Sequence, residues 1–102
     1  MSSNLPEANG PRRVADESLV AQARNGEVEA YNRLVSRYYG LVRLRAAARL
    51  LRGGDPDDLI QEGLIGLYKA VRDFRPEHGT GFRRFAEACI DRELTNHRGS
   101  TQ

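Results

Sequence analysis

The segment 55–74 constrains the fold of this chain most, because a helix start, an apolar stripe and two internal glycines occur in it together. Asp55 can cap a helix and Pro56 suits the first helical position. The carboxylates of Asp57 and Asp58 lie where the helix dipole favours negative charge. The pattern predicts a helix from there to about Phe74, with an inward stripe at Ile60, Leu64, Leu67, Val71 and Phe74.

Two glycines inside this predicted helix indicate how it packs. Glycine lowers helix propensity by about 1 kcal/mol relative to alanine, so Gly63 and Gly66 need a packing reason. We expect another backbone to approach the helix closely at these two positions.

Two more helices are predicted before this segment. Asp16 can cap the first, and Asn25-Gly26 provide a left-handed stop after the apolar residues Leu19, Val20 and Ala23. The second ends at Gly53-Gly54, and Gly40 is a point where it could break. Its apolar residues recur at helical spacing, at Ala30, Tyr31, Leu34, Val35, Tyr38, Leu41, Val42, Leu44 or Arg45, Ala48 and Leu51.

The remaining sequence completes an all-α pattern. Residues 75–81 form a loop by composition, and a last helix follows with one apolar face made of Phe82, Phe85, Ala86, Cys89, Ile90 and Leu94. No segment alternates with period two over the length of a strand. We therefore predict a compact bundle of four to five helices over residues 16–98, with a flexible tail at 1–15 and a disordered end or truncation point at 99–102.

Composition excludes several classes of protein. The 102 residues include one Cys, so neither an intramolecular disulfide nor a cysteine-rich zinc site can form within the chain. No apolar run approaches the roughly 18–20 residues that span a bilayer, and the N-terminus lacks the layout of a signal peptide. We expect a small cytoplasmic domain that does not contact a membrane.

Charge is divided between two neighbouring segments. Residues 31–52 contain six arginines and no acidic residue, whereas residues 55–66 contain four acidic residues and no basic one. The sequence therefore predicts a basic surface beside an acidic one, which suggests two different partners. Four of the arginines could be either a solvated face or a phosphate contact: Arg43, Arg45, Arg49 and Arg52.

Signs of catalysis are scarce. His78 and His97 have no spaced partners, so we expect no metal site. Cys89 lies on an apolar stripe, where a buried small side chain is the simplest interpretation. The Gly79-Thr80-Gly81 turn lacks the preceding strand and following lysine of a phosphate loop. We expect neither enzymatic activity nor a cofactor.

The helix at 58–71 nevertheless carries a specific motif, DLIQEGLIGLYKAV. This segment closely resembles the core-binding helix of bacterial RNA polymerase sigma factors of the sigma-70 type, and the helix starting at Phe82 follows at the spacing of the family's promoter-opening helix. The chain looks more like the sporulation and stationary-phase sigma-H branch than the primary sigma factors at three places: Tyr68, the link RDFRP and the segment FAEACI. The resemblance covers about residues 16–97. It implies the region 2 fold and a domain of an alternative sigma factor.

The resemblance implies two partners. In sigma factors the acidic helix docks on the β′ clamp helices of core RNA polymerase, and the matching positions here are Asp58, Leu59, Gln61, Glu62 and Ile65. The spacing itself places all of these except Leu59 on one helix face. An anti-sigma factor is a further partner that the family allows.

The second implied partner is promoter DNA, namely the non-template strand of the minus-ten element. The matching positions are His78, Thr80, Phe82, Arg83, Arg84, Phe85, Arg92 and Thr95. Phe85 could stack on a flipped base or could simply be core. Two adjacent tryptophans that open the duplex in primary factors are replaced by Ala88 and Cys89, and the following basic position is Asp91. We therefore expect weaker melting of the promoter duplex than by primary factors, and a stronger dependence of this melting on the promoter sequence.

The sequence allows several alternatives. The family's helix-turn-helix domain for the minus-35 element is missing, so the chain is either an excised domain or a free-standing partial sigma factor, and we expect weak promoter binding without it. A protein-interaction module or decoy on the same clamp helices would not bind DNA. A generic helical DNA-binding domain would bind duplex DNA without polymerase.

Overall fold

The computed structural model describes residues 15–96, which form four α-helices: α1 (Asp16–Arg24), α2 (Val28–Leu50), α3 (Pro56–Asp73) and α4 (Phe82–Asn96). A single 3-10 turn, Pro76–His78, lies between α3 and α4. No strand occurs within the described range. The predicted all-α bundle is therefore confirmed. The predicted tail, except for its last residue, and the predicted end at 99–102 lie outside the described residues, as does His97.

One apolar core joins the four helices. α3 packs most extensively against α4 and α2, and α1 packs mainly on α2. Burial of each large apolar side chain contributes about 1.5–3 kcal/mol to folding. No polar or charged side chain in the described part of the chain is fully buried. The largest fully buried side chains are Phe82, Leu19, Leu34, Leu59, Leu67, Ile90, Val20 and Val42.

The end of α1 and the start of α3 follow the sequence signals, whereas the start of α1 does not. The Asp55 carboxylate accepts a hydrogen bond from the backbone N–H of Asp57 at 3.2 Å, and Pro56 is the first residue of α3. Gly26 adopts a φ of 95° after α1, as predicted for a left-handed stop. The prediction for Asp16 is wrong, because Ala15 precedes α1 and no side chain caps this helix. Asp16 lies in the first turn instead and binds α2.

Both glycines of α3 lie at close contacts, but the predicted approach of another backbone is confirmed only at Gly66 and is wrong at Gly63. A Cβ added at Gly66 would lie 2.7 Å from the Cα of Ile90, and one at Gly63 would lie 2.7 Å from Cγ1 of Val42. α3 therefore meets the backbone of α4 at Gly66 and a side chain of α2 at Gly63. The predicted break at Gly40 is absent, because α2 continues through it as regular helix.

The inward face of α2 differs from the prediction in its second half. The buried residues recur every fourth position, at Ala30, Leu34, Tyr38, Val42 and Ala46. The sequence pattern instead placed Leu44, Ala48 and Leu51 on the inward face. These three residues are exposed in the structure. A strict four-residue spacing keeps Ala46 on the core side, so the two leucines lie 66% and 89% exposed.

The inward face of α3 is also turned relative to the prediction. Leu67, Val71 and Phe74 are buried as expected, but Ile60 and Leu64 are only partly buried. The close approach at Gly63 and Gly66 packs the face of α3 that carries these small residues against α2 and α4. The residues that reach the core on that side are Leu59, Gly63, Gly66 and Ala70.

Candidate functional site

The outer face of α3 gathers four of the predicted polymerase contacts. Asp58, Gln61 and Ile65 are exposed, and Glu62 is half-buried beside them. Ile65 is an apolar side chain left 41% exposed on this otherwise polar face. Positions three, four and seven residues apart lie on the same side of a helix. The structure therefore brings these four residues together on one surface, which we call the α3 face.

Leu59 does not belong to the α3 face. Its side chain is completely buried. The prediction that Leu59 lies on the contact surface is wrong, because the turn of α3 that exposes Asp58 directs the next side chain inwards. Leu59 is a core residue.

Tyr68 extends the α3 face and was not among the predicted site residues. It lies one turn after Ile65 and is 53% exposed. Its ring meets the edge of the Tyr31 ring at a centroid distance of 6.3 Å and an angle of 77°. Burial and the neighbouring Tyr68 both raise the pKa of Tyr31. The three-residue spacing from Ile65 was the signal that could have identified Tyr68.

The loop before α4 presents the first predicted DNA contacts. The 3-10 turn ends at Gly79, whose φ of 82° is in the left-handed region. His78 and Thr80 are exposed on this loop, and Arg83 and Arg84 are exposed in the first turn of α4. His78, Arg83 and Arg84 therefore lie together at the start of α4.

Two phenylalanines at this end differ in burial. Phe82 is 1% exposed and packs edge-on against Phe74 at 5.4 Å, so the prediction that it contacts DNA directly is wrong. Phe82 fills the core because it begins the inward stripe of α4. Phe85 is only partly buried, with its ring centroid 5.8 Å from that of Phe74. Phe85 thus lies at the edge of the core beside the exposed arginines.

The outer side of α4 continues from this end as a single stripe. Successive three- and four-residue steps along α4 place four exposed residues in one row. The predicted contacts Arg92 and Thr95 lie on this row. We call it the α4 stripe: Arg84, Ala88, Arg92 and Thr95.

Contacts from α2 and α3 hold the second half of α4 in place. Arg45 on α2 pairs with Asp91 at 2.8 Å, and Lys69 on α3 pairs with Glu93 at 3.0 Å. The Nε of Arg49 donates to the backbone oxygen of Leu94 at 3.3 Å. Two members of the arginine cluster are therefore engaged in helix packing, whereas Arg43 and Arg52 are exposed.

Arg83 is fixed by two neighbours. Its Nε lies 3.4 Å from Oε2 of Glu87, one helical turn later. Its guanidinium also lies over the ring of Tyr38, 5.8 Å from the ring centroid. The Tyr38 hydroxyl donates to the carboxylate of Asp16 on α1. The sequence patterns did not identify this arrangement, because its members come from three helices.

The described residues give little support for a metal site, a reactive cysteine or a membrane-spanning helix. Between residues 15 and 96, no three His, Cys, Asp or Glu side chains form a group that could hold a metal ion. Cys89 is 4% exposed, and burial raises the pKa of its thiol. None of the helices in that range is long and apolar enough to cross a membrane.

Comparison with known proteins places the chain in a family. The family model for sigma-70 region 2 matches residues 34–102, which is more than half of the chain. The chain belongs to the sigma-70 region 2 family. This result confirms the resemblance that the motif in α3 indicated.

Individual relatives refine the relationship of this region 2 domain. It is 41% identical over 81 residues to the RNA polymerase sigma-H factor of Bacillus licheniformis and 40% identical over 81 residues to that of Bacillus subtilis. It is 35% identical over 78 residues to the RNA polymerase sigma-F factor of Bacillus subtilis. These matches cover 79%, 79% and 76% of the chain. The similarity to the sigma-H branch is thereby confirmed.

The region 2 domain spans only part of these relatives. The matched segments cover 36% and 37% of the two sigma-H factors and 31% of the sigma-F factor. No solved structure is significantly similar to the chain.

Proposed function

We propose that this region 2 domain belongs to an alternative sigma factor and has two binding surfaces. The α3 face binds core RNA polymerase, and the loop with the α4 stripe captures the non-template strand of the minus-ten element. The observation that carries the proposal is the presence of a polar, acidic surface and a basic, aromatic surface on one packed core. The domain catalyses no covalent chemistry and acts where polymerase acts, in the cytoplasm.

The chemistry of the α3 face suits a helical partner with basic residues. Asp58 and Gln61 can accept or share hydrogen bonds with cationic side chains, and Ile65 offers an apolar centre between them and Tyr68. A polar rim around a small apolar centre is the usual layout of a transient protein interface. This arrangement supports docking on the β′ clamp helices, and an anti-sigma factor could compete for it.

The chemistry of the other surface suits single-stranded DNA. Arg83 and Arg84 can contact phosphates, and the part-exposed ring of Phe85 can stack on an unpaired base. Stacking on an aromatic side chain contributes about 1–3 kcal/mol per base. Both interpretations of Phe85 fit its position, since one side of the ring packs on Phe74 while the residue keeps some exposure.

The composition of the α4 stripe bears on duplex opening. Ala88 is exposed but has only a methyl group, and Cys89 is buried. Asp91, at the position that is basic in primary factors, is engaged with Arg45. The stripe therefore offers no large ring to wedge between base pairs, which supports weak melting and a strong dependence on promoter sequence.

The alternative of a decoy that occupies the clamp helices without binding DNA is less well supported. It leaves the basic loop and the α4 stripe without a role. A generic DNA-binding domain that works without polymerase would leave the α3 face without one.

A charge reversal in the α4 stripe tests the proposal. Arg84→Glu should weaken capture of a single-stranded minus-ten oligonucleotide by the complex of this chain with core polymerase, because it replaces a phosphate contact by repulsion. We expect a loss of about tenfold or more, since phosphate contacts dominate affinity for nucleic acids. Fluorescence anisotropy with an oligonucleotide selected from a randomised pool measures the change.

The matched control is Arg33→Glu, an identical charge change at an exposed position on α2. It should leave strand capture near the wild-type value. Equal losses in the two variants would show that net charge alone governs binding, and no loss in Arg84→Glu would contradict the proposed DNA surface.

A further inference from the structure

We propose that Tyr38 and Asp16 are positioning residues that hold Arg83 ready for the DNA backbone. This inference rests on the proposed function, in which the start of α4 captures the promoter strand. It assigns a binding role to α1, which carries none of the predicted DNA contacts.

The arrangement begins at Asp16 on α1. One carboxylate oxygen accepts a hydrogen bond from Nη1 of Arg37 at 2.8 Å, and the other accepts one from the hydroxyl of Tyr38. Asp16 therefore ties two consecutive residues of α2 from a position 22 residues before Tyr38. A carboxylate that bonds both partners at once fixes the direction in which the tyrosine ring points.

The Tyr38 ring carries this restraint to α4. It is 2% exposed, and its centroid lies 5.6 Å from that of Phe82 at an angle of 89°. The guanidinium of Arg83 covers the ring, within the distance at which a cation interacts with an aromatic face. The ring thus packs beside the first residue of α4 and supports the second.

Arg83 gains order from this support while its side chain stays 64% exposed. Glu87 restrains the guanidinium from the same helix and Tyr38 restrains it from α2. Binding is weaker when an arginine side chain must give up its rotamer freedom on contact with the ligand. An arginine that is already ordered avoids this entropy cost, so ordering it beforehand strengthens binding. Arg83 can still exchange its half-buried carboxylate partner, Glu87, for a phosphate.

A second contact ties α1 to the same place. The backbone N–H of Phe82 lies 3.4 Å from Oε2 of Glu17. Asp16 and Glu17 therefore act together on the first turn of α4, one through Tyr38 and one directly. α1 braces the end of the molecule that we propose binds DNA.

The variant Tyr38→Phe tests the positioning role. It keeps the buried ring and removes only the hydroxyl that binds Asp16. We expect about a three- to tenfold loss of strand capture, because a less restrained Arg83 would have to be immobilised when DNA binds, and that is the order of cost of immobilising one long side chain. The probe is the selected minus-ten oligonucleotide, and the protein is the full chain in complex with core polymerase, whose affinity for the chain should not change. Tyr39→Phe, at the exposed neighbouring tyrosine, is the matched control and should have no effect.

A double-mutant cycle with Arg83→Ala separates positioning from a general loss of stability. If Tyr38 acts through Arg83, Tyr38→Phe should cost affinity in the wild-type background and almost nothing once Arg83 is alanine. Equal losses in both backgrounds, or no loss in either, would overturn the inference. Should Tyr38→Phe fail to fold, as judged by thermal unfolding, Asp16→Asn replaces it in the same cycle with the same two outcomes.

The cycle also distinguishes this inference from the proposed function. If Arg84→Glu abolishes strand capture while Arg83→Ala has no effect, the positioning role is overturned and the DNA surface remains. If neither change weakens capture, the DNA surface itself fails, and the positioning role fails with it.

Discussion

Gly66 permits the close contact between α3 and the backbone of α4. Its missing side chain lets α3 approach the backbone of Ile90, and a Cβ there would also lie 2.8 Å from the carbonyl oxygen of Cys89. Backbone atoms cannot move aside as a flexible side chain can. Gly66→Ala should therefore lower the free energy of unfolding by about 1–3 kcal/mol, despite the better helix propensity of alanine, and urea unfolding measures the change.

The control for this prediction is Gly40→Ala in α2. Nothing lies within 4 Å of a Cβ placed at Gly40, and the backbone there is ordinary helix. This change should raise the free energy of unfolding by up to about 1 kcal/mol through helix propensity alone. If both alanine variants were stabilised alike, the close approach at Gly66 would be refuted.

At the scale of helices, the start of α3 shows how a local signal positions a binding surface. The Asp55 carboxylate satisfies one backbone N–H that α3 leaves without a helical partner, and Pro56 needs none. Asp55→Ala should cost about 1 kcal/mol of stability. Urea unfolding measures the loss, and Asp55→Asn, which keeps a capping oxygen, should recover most of it. A loss in the asparagine variant as large as in the alanine variant would contradict the capping role.

The helix boundaries could be predicted because their causes are local. Glycine, proline and capping residues act within a few positions of the helix end, so Asn25-Gly26, Gly53-Gly54 and Asp55-Pro56 were sufficient. The direction in which each helix faces depends on its neighbours. In α3 the face that carries Gly63 and Gly66 points inwards. Leu59 is therefore buried, and Ile60 lies at the margin of the core.

The candidate site could be predicted only in part, for the same reason. The spacing of Asp58, Gln61 and Ile65 placed them on one face without knowledge of the fold. Burial of Phe82 and the bond between Asp16 and Tyr38 arise from contacts between helices that are distant in sequence. No periodicity within one segment contains that information.

On the scale of the whole molecule, the two proposed surfaces share one core but use different helices. The α3 face lies on the outer side of α3, whereas the basic surface is formed by the loop and α4. α4 is tied to α2 and α3 by ion pairs at Asp91 and Glu93. Because the exposed residues of the two surfaces lie on different helices, changes at those residues should weaken polymerase binding and strand capture separately.

The decisive measurement is the affinity of the chain for core RNA polymerase. The variant with Asp58→Lys and Ile65→Lys changes one exposed acidic and one exposed apolar residue of the α3 face. Its matched control, with Glu29→Lys and Leu44→Lys, changes one exposed acidic and one exposed apolar residue of α2, away from the α3 face.

We predict that the unmodified chain and the control bind core polymerase alike, and that the α3 variant loses about tenfold or more in affinity while remaining folded. Failure of the folded, unmodified chain to bind, or equal binding by both variants, would contradict the proposed role of the α3 face.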